Sequence, residues 1–265
     1  MNQAQKQFKI LLVGDSCYDY YHYGEVKRIS PEAPIPIFDL KYSEKKNGMA
    51  SNVSENLKAL GAEVHIHTSF KETKNRYIDL KTKQQLLRVD DKIDDNGFKG
   101  IVYGVIKYET YDAVVISDYG KGFFNYDDYV KIRAEYDGPI FIDTKDRQLS
   151  RYKDALVKVN DSEYTKSDLW GINSNQNIIV TYGGDQVVWR REHPEAARLY
   201  YPPKVDAYDV CGAGDTFFAA LVFEYLRSGK DMEAAIRFAM KASAITVQKI
   251  GVYAPTLEEI ENDKT

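Results

Sequence analysis

Eight residues near the carboxyl end, Asp209-Val210-Cys211-Gly212-Ala213-Gly214-Asp215-Thr216, stand directly before a strongly periodic helical stretch. Small residues there let backbone N–H groups face a ligand, and the positive end of the helix dipole adds to them, so the segment suits an anion. Asp215 has two readings: a charged group placed to act at that anion, or a plain helix cap, since Asp is favoured at such positions. Asn160 and Glu163 lie one helical turn apart and share a face, which fits a hydrated cation or simple solvated surface. His65 and His67 alternate on one strand face without a third ligand, so no metal is assigned to them. Lys121 either approaches a phosphate or is solvated in a turn. Cys211 is either a reactive thiol beside a helix terminus or a small buried filler.

Familiar nucleotide motifs fail in this sequence. A dinucleotide fingerprint G-x-G-x-x-G would need glycine where Phe217 stands, and it would follow the first strand rather than lie late in the chain. No G-x-x-x-x-G-K-[ST] occurs, and the protein-kinase elements H-R-D and D-F-G are missing.

The elements that must position these residues follow from the apolar pattern. Short β-rich runs at Phe8–Val13, Val64–Thr68, Gln85–Val89, Ala113–Ser117, Pro139–Asp143, Leu156–Val159 and Ile178–Thr181 alternate with helical patterns. The clearest helices are Asn47–Leu60, stopped by Gly61, and Gly212–Leu226 and Met232–Gln248, separated by Gly229. That alternation predicts a layered α/β domain with a largely parallel sheet, read as one domain over residues 1–265. Tyr20–Leu40 breaks the pattern with Pro31, Pro34 and Pro36, and reads as a β flap, a lid insertion over 20–42 covering ligands at the carboxyl ends of the strands.

Composition narrows the function classes. With 265 residues and 43% hydrophobic content the chain can build a real core, which excludes disorder and fibrous repeats. Its net charge of −4, spread along the chain, supplies no basic stripe, so no nucleic-acid partner is expected. The two cysteines, Cys17 and Cys211, encode neither a disulfide framework nor a zinc knuckle. The start MNQAQKQFKI does not grade like a signal peptide, and no run reaches the roughly 18 apolar residues of a membrane span. A soluble cytoplasmic protein without a membrane partner is the expectation. The 21 tyrosines read as scattered amphipathic aromatics without a stacking pattern.

Taken together the motifs resemble those of ribokinase-type sugar kinases of the phosphofructokinase-B family. Asn47-Gly48-Met49-Ala50-Ser51-Asn52-Val53, running on to Leu60-Gly61, is similar to that family's amino-terminal sugar-binding signature, and Asp209 to Asp215 is similar to its carboxyl-terminal D-T-x-G-A-G-D. Asn160-Asp161-Ser162-Glu163 matches N-x-x-E, and Thr181-Tyr182-Gly183-Gly184 matches the T-x-G-x strand end. Within the family, Gly14-Asp15 with Asp19-Tyr20-Tyr21, Arg28 to Pro36, Gln84 to Asp90 and Ser117-Asp118-Tyr119-Gly120-Lys121-Gly122 resemble the heptose 7-phosphate kinases. Against that subgroup the stretch between Thr68 and Arg76 is short by about one βαβ-sized unit. Asn47 replaces a glycine, Cys211 replaces a threonine, and Met240 stands where an asparagine near adenine is common.

The resemblance implies a ribokinase-like three-layer α/β/α sandwich with a mostly parallel central sheet and a small β lid. It implies an ATP- and Mg²⁺-dependent kinase, with K⁺ as a further ion, acting on a hydroxyl of a sugar or sugar phosphate, heptose 7-phosphate at O1 included. Asp215 is the expected base, and the N–H groups of Gly212, Ala213 and Gly214 form the anion hole. Asp15, Asp19, Asn47, Gly48, Asn52 and Asp118 face the sugar, and Arg28 or Arg88 clamps a sugar phosphate. Asn160, Glu163, Thr181, Gly183, Gly184 and Met240 face the nucleotide, with Asn160 and Glu163 placing Mg²⁺ through water and Asp209 holding the monovalent ion. The alternative is a catalytically weakened descendant that binds a sugar phosphate or nucleotide. Ile35, Ile37 and Phe38 of the flap are expected to be exposed in an isolated chain, and burying them against a second copy predicts a homodimer.

Overall fold

The structure is a computed structural model that describes residues 6–93, 101, 106–169, 177–190 and 197–263. It divides into two compact units, one of Met1–Asp15, Met49–Thr68 and Lys99–Thr265, the other of Ser16–Gly48 and Ser69–Phe98. Two long strands, β1 (Lys9–Ile29) and β3 (Glu63–Asp79), contribute residues to both.

The first unit is built on β1, β3, β5 (Ala113–Asp118), β6 (Ile140–Thr144), β7 (Leu156–Asn160), β8 (Asn177–Tyr182), β9 (Gln186–Arg190) and β10 (Arg198–Tyr200). Strands β1, β5, β6, β7 and β8 pair in parallel in that order, and β9 and β10 add an antiparallel edge. The central strands are short apolar runs because helices cover both of their faces. Period-2 alternation sorts the side chains: Ile10, Leu12, Ala113, Val115, Phe141 and Ile179 face one core, and Leu11, Val13, Val114, Ile116, Ile142 and Val180 face the other.

Three helices pack on the first face: α1 (Ala50–Ala59), α4 (Ala213–Arg227) and α5 (Met232–Thr246). From Asp215 to Glu224 every residue of α4 is buried, as expected of a helix that is apolar almost all round. The second face takes α2 (Tyr126–Glu135) and α3 (Asp161–Thr165), each started by a capping box, Asn125 with Asp128 and Asn160 with Glu163. A last helix, α6 (Leu257–Asn262), buries Ile260 in the first core. Helices on both faces of a mostly parallel sheet give the expected three layers.

In the second unit β4 (Gln85–Lys92) runs antiparallel to β3, from Glu72 opposite Lys92 to Ile78 opposite Gln85, and β2 (Pro36–Met49) pairs with β1. The expected flap of 20–42 falls inside this unit. Pro31 and Pro34 lie in the turn between β1 and β2, and Pro36 opens β2, where its missing N–H is tolerated.

Several local expectations change. The helix expected from Asn47 begins only at Ala50, because Asn47–Met49 finishes β2 and Met49 turns the chain with φ 59°. The strand expected at Val64–Thr68 continues through residues 69–75 as the middle of β3. The tyrosines are not scattered: Tyr126, Tyr129 and Tyr152 pack with ring centroids 5.2 to 6.0 Å apart, and Tyr23 stacks on Tyr42 at 4.8 Å. Of the three flap residues expected to be exposed, only Ile35 is; Phe38 packs edge-on against Tyr77.

Candidate active site

The centre of the first unit is the amino-terminal turn of α4. Gly212 caps it in the left-handed region, φ 77°, where a side chain is strained, and a Cβ there would stand 2.8 Å from Asn52 Nδ2. One turn on, the buried Asp215 accepts a hydrogen bond on each oxygen. Tyr119 Oη donates to Oδ1 at 2.6 Å and Asn52 Nδ2 donates to Oδ2 at 2.9 Å. Asn56 Nδ2 donates to the Asn52 backbone and side-chain oxygens, which fixes the Asn52 amide with its NH₂ toward Asp215. Burial raises the Asp215 pKa, with Asp143 adding to it, while the Tyr119 and Asn52 hydrogen bonds and Lys158 pull it down. Burial thus leaves this carboxyl more basic than an ordinary aspartate, the direction a proton acceptor needs.

Tyr119 is itself positioned from β1. Asp15, fully buried, accepts the backbone N–H groups of Tyr119 and Lys121 on Oδ2 and of Phe123 on Oδ1, and so fixes the loop that follows β5. Gly14 just before it is obligatory, since a Cβ would lie 2.0 Å from the Ser117 carbonyl oxygen. Asp118 is also buried, accepts from Thr144 Oγ1 at 2.6 Å and from the Gly120 N–H, and has its pKa raised chiefly by burial. Thus Asp15 and Asp118 spend much of their acceptor capacity on the loop, while Lys121 is exposed.

Beside this turn opens a cleft of about 750 Å³. Asn160, Thr181, Gly183, Gly184, Ala213, Gly214 and Met240 line it, so of the residues expected at a nucleotide all but Glu163 are on its wall. Asp143, Lys145 and Lys158 line it too, and no motif had singled them out. Asn160 and Glu163 are committed to the α3 capping box: Asn160 Oδ1 accepts the Glu163 N–H, and Glu163 Oε2 accepts the Asn160 N–H. Glu163 Oε1 pairs with Lys145 Nζ. Asp209 accepts the N–H of Cys211 on Oδ1 and of Gly251 on Oδ2, tying the loop before α4 to a later turn. Among the described residues no group of three or more His, Cys, Asp or Glu is arranged to hold a metal ion.

The second unit holds the remaining expected sugar residues. Buried Asp19 takes Nε and Nη2 of Arg76 on Oδ1, at 3.3 and 3.2 Å, and lies 3.7 Å from Cys17 Sγ. Burial beside Asp19 pushes the Cys17 thiol up to about 12, so it is inert. Gly48 packs so closely that a Cβ would meet Asp19 Oδ2 at 2.3 Å. Asn47 and Arg28 are exposed, and Arg88 pairs with Asp90 rather than standing free as a clamp. The arginine set against a buried expected sugar residue is Arg76, which pattern reading missed because its partner is 57 residues away.

Residues 154–260 match the pfkB family carbohydrate kinase. Over that stretch the chain is similar to pfkB family carbohydrate kinases. It is 32% identical over 303 residues to the bifunctional protein HldE of a Nitratiruptor species, covering 96% of this chain and 64% of that protein. The bifunctional protein HldE of Helicobacter pylori (strain J99 / ATCC 700824) is 30% identical over 303 residues, covering 95% and 65%. The chain therefore spans just under two thirds of the length of these relatives. Both aligned stretches are longer than the 265-residue chain, so the relatives carry residues that it lacks. Among solved structures, ribokinase from Thermotoga maritima superposes with a TM-score of 0.70 at 17% identity, over 96% of this chain and 98% of that one. Arabidopsis thaliana ribokinase complexed with ribose and ATP gives 0.67 at 14%, over 97% and 98%. The fold of this chain is ribokinase-like.

Proposed function

We propose that this chain transfers the terminal phosphoryl group of ATP to a hydroxyl of a sugar or sugar phosphate, with Asp215 as general base. The observation that carries the reading is the placement of Asp215: buried, held on both oxygens, and one residue past Gly214 on the wall of the cleft. Tyr119 and Asn52 use one acceptor site on each carboxylate oxygen, and each oxygen keeps a second for an incoming hydroxyl. Asp215 takes the hydroxyl proton as the sugar oxygen bonds to phosphorus and the bridging oxygen departs with ADP. The first turn of α4, from Ala213, faces the charge that develops on the phosphoryl oxygens.

The cleft suits ATP: glycines at 183 and 184 leave open space where a Cβ would point, and Met240 and Phe217 offer an apolar wall. Asn160 and Glu163 fit Mg²⁺ held through water, since both Glu163 oxygens already have protein partners. Bound there, Mg²⁺ would draw negative charge off the phosphates. Asp209 is the residue proposed for K⁺. Heptose 7-phosphate is the first sugar to test, because the stretches Arg28 to Pro36 and Ser117 to Gly122 resemble those of heptose 7-phosphate kinases. In the second unit Ile29, Ile35, Leu40 and Tyr42 are exposed apolar residues that a second copy would cover, making a homodimer. A cytoplasmic setting agrees with the two free cysteines.

The test is ADP release over a sugar panel with Mg²⁺ and K⁺ present. Stimulation by heptose 7-phosphate is expected. No stimulation by any sugar, with ligand binding retained in calorimetry, would replace the kinase reading by that of a binding protein. Light scattering at high micromolar concentration checks the dimer, and Ile35→Asp with Leu40→Asp should yield a monomer.

A further inference from the structure

The parallel pairing sets one row of residues across the sheet: Gly14 opposite Ser117, Ser117 opposite Asp143, Asp143 opposite Lys158, and Lys158 opposite Ile179. Two residues earlier on each strand the same face is apolar, with Leu12, Val115, Phe141 and Leu156 in the core under α4 and α5. At this row it turns polar. Lys158 is 5% exposed, and its ammonium lies 2.8 Å from Asp143 Oδ2. A Cβ on Gly214 would stand 3.3 Å from Lys158 Nζ, so the ammonium sits directly against the first turn of α4. Lys158 and Asp143 both line the cleft. Next along the row, Ser117 Oγ is fully buried and has no hydrogen-bond partner.

A purely structural ion pair explains this poorly. Burying two charges costs more than their attraction returns in many settings, and an apolar pair in the same row would continue the core already present two residues earlier. The ammonium is also placed beside the positive end of a helix dipole, where Asp143 and Asp215 offset its charge while it still lines the cleft. The ammonium and the helix terminus are two positive features converging on one wall of the cleft, which suits an anion. Asp143 keeps the amine protonated against the cost of burial, and the charge of Asp215 acts in the same sense.

We propose that Lys158 is a catalytic residue whose ammonium contacts the phosphoryl group while it passes from ATP to the sugar, with Asp143 aiming it. The proposal rests on the phosphotransfer reading above and adds a named residue to it. Lys158 gives up no proton. It stabilises the charge on the non-bridging oxygens while the bond from phosphorus to the ADP oxygen breaks and the bond to the sugar oxygen forms, and Asp215 receives the hydroxyl proton.

The experiment compares Lys158→Met, which keeps length and loses charge, with the double variant Lys158→Met/Asp143→Asn, which leaves no unpaired buried charge. Both should lose about 10²- to 10³-fold in kcat, as when one preorganised donor to a transition state is removed. The double variant should recover the melting temperature lost by the single one, so that activity and stability separate. Recovery of activity along with stability, to within about threefold of the parent, would make the pair structural and overturn the proposal. A binding arm works without turnover: the affinity for ADP with aluminium fluoride and Mg²⁺ should fall at least tenfold in Lys158→Met, with that for ADP alone little changed. Equal loss for both ligands, or no loss, overturns it. If the parent chain turns over no sugar, the phosphotransfer reading fails on that result alone, and the binding arm still decides Lys158.

Discussion

Replacing Tyr119 by Phe isolates one hydrogen bond to the proposed base. The ring is kept, so the cation–π contact of Lys145, 5.0 Å from its centroid, persists, and only the hydroxyl that donates to Asp215 Oδ1 at 2.6 Å is lost. A hydrogen bond to an ionised group is worth roughly 1.5–3 kcal/mol. At about 1.4 kcal/mol per pKa unit, its loss raises the Asp215 pKa by roughly 1–2 units. The direction is fixed: the bond stabilises the charged carboxylate, burial already raises its pKa, and removing the donor leaves burial and Asp143 less opposed. A general base must be deprotonated, so activity falls as pH drops through its pKa, and the acid limb of the kcat profile should move to higher pH by that amount. Above the limb the rate should change little, because Asn52 and Lys158 still act on Asp215. The assay is ADP release under saturating substrates across the acid and neutral range, with thermal melts to show that the variant is folded. An acid limb that stays within about 0.3 units of the parent, or moves down, would refute both the base assignment and the part given to Tyr119.

Three further changes test neighbouring claims. Gly212→Ala should cost about 1–2 kcal/mol from its left-handed backbone, and should lower kcat as well because the new methyl presses on Asn52; melting and turnover read the two effects. Asp15→Asn sets amide hydrogens against a carboxylate site that holds three backbone N–H groups, so unfolding free energy should fall by about 2–3 kcal/mol, with the acid limb of kcat moved to higher pH through the displaced Tyr119. Asp215→Asn should lose about 10²- to 10⁴-fold in kcat yet melt higher near neutral pH. Its folded-state pKa is raised, so the carboxylate weakens the fold as pH climbs from the ordinary Asp range through the raised value. The amide oxygen can still accept from Asn52 and its NH₂ can donate to Tyr119. A variant no more stable than the parent at neutral pH would contradict the linkage.

What could be read from sequence was what neighbouring residues make together. The turn from Gly212 to Asp215 is legible because a helix terminus, its small residues and its first acidic side chain are contiguous, and the strands β5 to β8 are legible because burial on both faces makes each a short apolar run. The helix α1 starts three residues later than expected, because Asn47–Met49 belongs to β2 and Met49 takes a positive φ. The strand expected at Val64–Thr68 runs on to Asp79, because the polar SFKETKN gives no apolar alternation by which to extend it. In the second unit Ser69 and Glu72 are buried and the residues around them partly so, and an exposed-looking pattern there reports neighbouring strands that the local sequence does not contain.

The site illustrates the same limit from the other side. Asp215 depends on Tyr119, 96 residues away, and on Asn52, 163 residues away, and both contacts exist only because α1, β5 and α4 meet on one face of the sheet. Lys158 and Asp143 face each other because β6 and β7 pair in one particular register, and a slip by one residue would send each side chain to the opposite face. In the bare sequence LVKVN a lysine between valines reads as an edge or solvated position. Placed by that register, it becomes a buried cation with its counter-charge supplied across the strand. The chemistry proposed for it is therefore a property of strand pairing, and a change that shifted β7 against β6 without touching either residue should abolish it as surely as Lys158→Met.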